Sequence, residues 1–119
     1  MTNILWIALG ATIGSLLRYA SQEIFSAYLG AAAIGTFLAN SLGCLAAGFV
    51  AAFFDQLLDG QRLFLMAGVL GSLTTLSSLQ IEVLQYLQSG KYLQAGTHWV
   101  LGSVFGLAFC WLGFLLGQK

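Results

Sequence analysis

The stretch GVLGSLTTLSSL, at residues 68–79, decides how the chain folds. Five hydroxyl residues and two glycines fall within it, although the sequence on either side is apolar. Ser and Thr side chains compete for backbone hydrogen bonds, and Gly weakens a helix. We therefore expect a helix that breaks near Gly71 to Thr75. The alternative is a continuous helix whose hydroxyls bond back to the preceding turn.

Long uncharged segments surround this stretch. The chain has 119 residues, of which 59% are hydrophobic and only 7% are charged, whereas a soluble domain is about a quarter charged. The charges separate four apolar segments, and each reaches or approaches the roughly 20 residues of a membrane-spanning helix. We predict an all-α integral membrane protein with a single domain, residues 1–119, and four transmembrane helices at 3–25, 30–54, 63–88 and 93–117.

The expected break would lie mid-membrane, in the third helix. Non-helical backbone at that depth survives only where it is buried in protein or lines a water-filled cavity. The carbonyls that it frees can bind a cation, and the N–H groups can meet an anion. The sequence thus places a candidate ion site at residues 71–75.

Polar side chains in the second and fourth spans are further candidates. Thr36 and Asn40 are four residues apart, so they share one helix face. Asn40 either bonds to a neighbouring helix or presents an amide donor to an anion. Ser103 lies on a stripe with Trp99, and it too is either a bond between helices or a ligand.

Charges within spans are costly and usually functional. Arg18 lies near the end of the first span and Glu82 in the later half of the third, and we predict a structural role for both. Arg18 could instead extend to the interface or pair with Glu23. His98 and Trp99, at the start of the fourth span, are typical of an interfacial anchor.

The basic residues give no preferred orientation. Arg18 and Lys91 fall on one side of the predicted membrane, and Arg62 and Lys119 on the other. The positive-inside rule therefore has no bias on which to act. The pattern indicates a dual-topology chain that forms antiparallel dimers, unless four charges are too few to decide.

Glycine spacing indicates tight helix packing. The chain has 15 glycines, and Gly lets helix backbones approach closely in a bilayer. Three pairs are spaced four residues apart, namely Gly10 and Gly14, Gly102 and Gly106, and Gly113 and Gly117.

No catalytic constellation is present. The chain has one His, no metal-spaced Cys/His cluster and no phosphate-binding loop. The hydroxyl pairs Thr74–Thr75 and Ser77–Ser78 have no base partner within reach along the sequence. We predict that the protein is not an enzyme and has membrane lipid, but no nucleic acid, as a partner.

Three segments resemble the Fluc (CrcB) fluoride channel family. GATIG at residues 10–14, running to Arg18-Tyr19, resembles that family's glycine-rich start. GTFLANSLG at residues 35–43 is similar to its helix-two signature, and GVLGSLTTLSSLQIE at residues 68–82 to its helix-three signature. The segments occur in order and cover most of the chain.

The resemblance implies an antiparallel dimer in the bacterial plasma (inner) membrane, with two fluoride pathways. It also implies a structural, untransported sodium ion at the dimer centre, held by main-chain carbonyls that map to Gly71 and Thr74. The residues we assign to the fluoride pathway are Thr36, Asn40, Thr75, Leu76, Ser77, Ser78, Leu79, Trp99 and Ser103.

One departure from the family pattern concerns that pathway. Members usually carry two phenylalanines where this chain has Leu76 and Leu79. Phenyl ring edges are electropositive and leucine offers no equivalent. Leu107 also stands where a second serine of the fourth helix is expected. Some relatives are heterodimers in which one chain's pathway has decayed.

We predict a fluoride-selective channel that lets cytoplasmic fluoride leave passively. The alternatives are a pore-degenerate subunit of a heterodimeric fluoride channel, a small multidrug exporter of dual topology, and an accessory membrane protein without transport. Such an exporter needs a carboxylate deep in its first helix, and this chain has none before Glu23.

Overall fold

Four helices of the computed structural model, which describes residues 1–119, are long and apolar enough to cross a membrane. They run over Thr2–Leu29, Ala32–Ala52, Asp59–Gln88 and Tyr92–Gly117. We call them the first to fourth spans. The predicted all-α class and the four spans are confirmed, with boundaries that differ from the expected ones by a few residues.

Three spans are single helices and the third is composite. The single helices are α1 (Thr2–Leu29), α2 (Ala32–Ala52) and α6 (Tyr92–Gly117). The third span consists of α3 (Asp59–Arg62), a π-helix (Leu63–Leu70), α4 (Gly71–Leu73) and α5 (Leu76–Gln88). A 3-10 turn at Phe54–Gln56 precedes it. No pattern in the sequence predicted the π-helix.

The third span leaves the helical conformation at Thr74 and Thr75, which we call the break. Thr74 has φ −81° and ψ 145°, and Thr75 has φ −148° and ψ 116°, so both are extended. A helical hydrogen-bond ladder cannot pass through two extended residues. The helix is therefore interrupted within the expected range, and the depth of the break in a bilayer stays a prediction.

Glycines bring helix backbones into contact at two interfaces. A Cβ built on Gly68 would lie 2.8 Å from the Cα of Gly10, which joins the π-helix to α1. A Cβ on Gly113 would collide with the carbonyl of Leu45, which joins α6 to α2. Only glycine tolerates such approaches, so the predicted packing role holds at Gly10 and Gly113.

The outer surface of the bundle is apolar. Only 15 of the 119 residues are buried, and large side chains such as Leu93 and Leu107 are 84% and 74% exposed. A water-soluble monomer rarely exposes continuous apolar surface of this extent. The surface suits contact with the hydrocarbon of a membrane.

Candidate functional site

The side chain of Asn40, on α2, bonds to both main-chain groups of Thr75. The Thr75 N–H donates to Asn40 Oδ1 at 2.6 Å, and Asn40 Nδ2 donates to the Thr75 carbonyl at 3.1 Å. Because Thr75 is only 7% exposed, its N–H and carbonyl need hydrogen-bond partners, and Asn40 replaces those that a continuous helix would supply. Asn40 thus bonds the second span to the third, and its role as a donor to an anion stays a prediction.

Thr75 also caps α5. Its Oγ1 accepts the N–H of Ser78 at 3.2 Å, which is the usual geometry of an N-cap. The same oxygen lies 3.1 Å from Ser77 Oγ and donates to Ser78 Oγ at 3.3 Å. Three hydroxyls therefore gather at the N-terminal end of α5, which carries partial positive charge.

These contacts redirect two N–H groups away from main-chain carbonyls. In a continuous helix, Thr75 would donate to the carbonyl of Gly71, and Ser78 to that of Thr74. Asn40 and Thr75 take those donors instead. The two carbonyls that the family resemblance assigns to a cation are thereby deprived of their helical partners.

A groove of about 440 Å³ lies beside the break, between α2, α5 and α6. Its lining residues are Asn40, Cys44, Thr74, Thr75, Leu76, Leu79, Gly102, Ser103, Gly106, Leu107 and Cys110. The structure therefore brings together five of the nine predicted pathway residues. Their role in fluoride movement stays a prediction.

The other four predicted pathway residues lie outside the groove. Ser77 and Ser78 contact Thr75 but do not line it. Trp99 is 48% exposed on the outer face of α6. Thr36 is fully buried in a second polar cluster described below.

The two leucines differ in their surroundings, although both line the groove. Leu76 is 69% exposed, whereas Leu79 is 6% exposed. A Cβ on Gly102 would lie 3.2 Å from a methyl carbon of Leu79, so α6 already covers that side chain. The wall of the groove is open at Leu76 and closely packed at Leu79.

Aromatic rings do not replace the missing phenylalanines within one chain. Phe37 packs edge-on against Phe105 with ring centroids 5.7 Å apart, and Phe109 stands next to Phe105 at 6.3 Å. None of the three rings lines the groove, while Leu107 does. The groove of one chain is therefore aliphatic where the family resemblance implies aromatic edges.

A second cluster links all four spans, and we call it the Glu82 chain. Gln22 Nε2 on α1 donates to Thr36 Oγ1 on α2 at 2.9 Å, and that hydroxyl donates to Glu82 Oε1 on α5 at 2.5 Å. His98 Nε2 on α6 lies 2.9 Å from Glu82 Oε2. Every buried side-chain polar atom has a partner, so the Glu82 chain is complete within one subunit.

Two members of this chain, Gln22 and His98, were missed by sequence reasoning. The interpretation of His98 as an interfacial anchor is wrong, because its side chain is 14% exposed and bonds Glu82, which is 13% exposed. The sequence contains a signal that could have found the contact between His98 and Glu82, namely their equal distances from the short turn between α5 and α6. Glu82 lies seven residues before Ser89 and His98 seven residues after Lys91, which brings the two level on antiparallel helices.

Arg18 joins neither cluster. It is partly exposed on α1 and forms no ion pair with Glu23, so that alternative is wrong. No group of three or more His, Cys, Asp or Glu residues is arranged to hold a metal.

The four apolar spans and the polar interior between them define a multi-pass helical membrane protein. The chain belongs to the family described as "CrcB-like protein, Camphor Resistance (CrcB)", whose model matches residues 5–114. The relatives described below are bacterial, which places the chain among bacterial membrane proteins.

Three of these relatives match almost end to end. The "Fluoride-specific ion channel FluC" of Desulfotalea psychrophila is 38% identical over 98% of this chain and 93% of that protein. The protein of the same name from Chloroflexus aurantiacus is 39% identical over 99% and 97%. "Fluoride-specific ion channel FluC 2" of Staphylococcus saprophyticus is 34% identical over 97% and 96%.

Proposed function

We propose that the chain is a subunit of a fluoride-selective channel that lets cytoplasmic fluoride leave a bacterium passively across its plasma (inner) membrane. The names of its relatives support fluoride as the transported ion. The observation that carries the proposal is the groove in which Asn40, Thr75 and Ser103 meet at the N-terminal end of a broken helix.

Fluoride holds its water tightly, so a pathway must replace that water with hydrogen-bond donors. Asn40 Nδ2 has two hydrogens, and only one is given to the Thr75 carbonyl. The second N–H is the donor that we assign to fluoride. The α5 N-terminus adds partial positive charge on the same side of the break.

The proposed assembly is an antiparallel homodimer with a structural sodium ion at its centre. Gly71 is exposed and Thr74 partly exposed in one subunit, so a second copy could reach the carbonyls of both. Hard cations prefer oxygen ligands, and carbonyls without their helical donors suit that need. When bound, the ion would supply a fixed positive charge that joins the two breaks.

A second candidate function is favoured by the aliphatic wall at Leu76 and Leu79. In this version the chain is the pore-degenerate subunit of a heterodimeric channel, and a similar second chain supplies the conducting pathway. The balanced charges favour self-pairing instead. Co-purification of the native protein separates the two candidates, since only the second requires a different chain.

A fluoride-selective electrode on proteoliposomes of the purified chain tests the proposal. Rapid fluoride efflux supports a channel, whereas proton-coupled drug flux would favour a dual-topology exporter. Absence of both would leave an accessory role or an obligatory partner chain. A structure of the dimer with a continuous third helix and no central ion would contradict the sodium site.

A further inference from the structure

Asn40 and Thr75 each place a side-chain oxygen where a helix would place a carbonyl. Asn40 Oδ1 takes the Thr75 N–H at 2.6 Å, and Thr75 Oγ1 takes the Ser78 N–H at 3.2 Å. If either oxygen were removed, a return to helical geometry would satisfy the N–H through the carbonyl four residues earlier. Those carbonyls belong to Gly71 and Thr74.

We infer that Asn40 and Thr75 are positioning residues for a main-chain cation site. Their oxygens accept hydrogen bonds from the N–H groups of Thr75 and Ser78. Those N–H groups would otherwise compete with the cation for the carbonyls of Gly71 and Thr74. The inference rests on the proposed function, which assigns sodium to those carbonyls. It goes further in giving Asn40 Oδ1 and Asn40 Nδ2 separate roles, the first for the cation and the second for fluoride.

If the two atoms have separate roles, sodium binding and fluoride efflux should respond differently to substitutions of Asn40. Asn40→Asp keeps an acceptor for the Thr75 N–H but removes the amide donor. Asn40→Leu removes both. Sodium affinity should therefore survive better in Asn40→Asp than in Asn40→Leu, whereas fluoride efflux should be lost in both variants.

The expected loss of sodium affinity follows from the energy of one hydrogen bond. A competing N–H restored to its carbonyl weakens cation binding by about threefold to tenfold for each acceptor removed. Thr75→Val deletes the oxygen while keeping the side-chain shape, and Thr75→Ser keeps an oxygen. The serine variant should bind sodium more tightly than the valine variant.

The test measures the unfolding midpoint of the purified full-length protein while NaCl replaces N-methyl-D-glucamine chloride at constant ionic strength. The midpoint shift yields an apparent sodium dissociation constant for each variant. Thr97→Val is the matched control, because the Thr97 hydroxyl is exposed and bonds only to Leu93 O of its own helix. Its sodium response should equal that of the unmodified protein.

A measurement on the unmodified protein avoids any variant that fails to fold. With carbonyl-selective ¹³C labelling, sodium should shift the NMR signals of Gly71 and Thr74. The amide protons of Thr75 and Ser78 should stay protected from exchange with or without sodium. Sodium-dependent protection of those protons would mean that the cation, and not the side chains, positions the break, and the inference would be wrong.

The outcomes separate this inference from the function on which it rests. Equal sodium affinities in the Asp and Leu variants at position 40, or in the Ser and Val variants at position 75, would overturn the positioning role alone. No sodium response in the unmodified protein would overturn the cation site as well. Fluoride efflux from the same preparation tests the channel independently of either result.

Discussion

The break and the Glu82 chain are both polar and both connect the second span to the third, yet they are satisfied in different ways. At the break, Asn40 bonds to the main chain of Thr75. In the Glu82 chain, side chains bond mainly to one another, from Gln22 through Thr36 and Glu82 to His98, and the one main-chain contact is a long one of 3.5 Å from Thr36 Oγ1 to the Ala32 carbonyl. Both clusters are partly buried, and neither contains an unpartnered buried side-chain atom.

This difference separates a site that exposes main-chain groups from one that ties helices together. Diverting N–H groups at the break leaves carbonyls available to a ligand. The Glu82 chain closes on itself and offers its oxygens to Thr36 and His98. We therefore expect changes at the break to alter ion handling first, and changes in the Glu82 chain to alter stability first.

The largest expected effect is on fluoride efflux from Asn40→Asp. The substitution keeps the size of the side chain but places negative charge, or at best a lone hydroxyl, beside the groove. Efflux should fall by more than about tenfold while the dimer persists, because fluoride loses a donor that replaces its water. Electrode-measured efflux and size-exclusion chromatography check both parts. Near-normal efflux would leave Asn40 as a bond between helices only.

Next in size is the loss of stability in Glu82→Leu. This change removes the short acceptor of the Thr36 hydroxyl and the hydrogen-bond partner of His98, and both side chains are largely buried. The cost should be about 1–3 kcal/mol for each group left unsatisfied, seen as a lower unfolding midpoint in detergent.

Glu23→Leu is the matched control for that prediction. Glu23 is exposed on α1 and makes no side-chain hydrogen bond or ion pair, so its loss should leave the midpoint nearly unchanged. Equal midpoints for the two leucine variants would remove the distinction between the Glu82 chain and an ordinary surface charge.

A smaller effect is expected from replacing the groove leucines with rings. Leu76→Phe with Leu79→Phe should raise efflux from the homodimer a few fold, since ring edges weakly attract an anion that aliphatic groups repel. Leu76 is 69% exposed and has room, whereas Leu79 is 6% exposed beneath Gly102. Overpacking at Leu79 should cost about 1–3 kcal/mol.

The control for the rings is Leu93→Phe, at a position that is 84% exposed and outside the groove. It should leave efflux unchanged. Rapid efflux from the unmodified homodimer would refute the idea of a decayed pathway. Slow efflux that only a second chain rescues would identify a heterodimer subunit.

The sequence predicted the break because the signal for it is local. Hydroxyl and glycine residues within 68–79 weaken the helix wherever that helix packs, and the extended residues Thr74 and Thr75 lie inside this stretch. Span number and class follow equally from local hydropathy. The partner of each polar side chain does not, because it depends on how each helix is rotated about its axis.

Thr36 and Asn40 illustrate this limit. Their spacing of four residues correctly places them on one face of α2, yet in the structure they belong to different clusters. Asn40 meets Thr75 at the break, and Thr36 meets Glu82 farther along α5. Two residues on the same face of α2 contact α5 at different positions along its length. Their spacing alone therefore could not show that Asn40 lines the groove and Thr36 does not.

The smallest expected effect lies at the far end of the Glu82 chain, in Gln22→Leu. Gln22 donates one bond to Thr36, and the Thr36 hydroxyl keeps its bond to Glu82 when that donor is lost. The cost should therefore be about 0.5–1.5 kcal/mol, the net value of one hydrogen bond, and fluoride efflux should be unchanged. Gln80→Leu, on the exposed face of α5 with no side-chain bond, is the matched control for unfolding midpoints. Thr36→Val should lower the free energy of unfolding more than Gln22→Leu does, because it removes the hydrogen bonds to both Gln22 and Glu82. The opposite order would mean that Gln22 holds α1 through contacts other than its bond to Thr36.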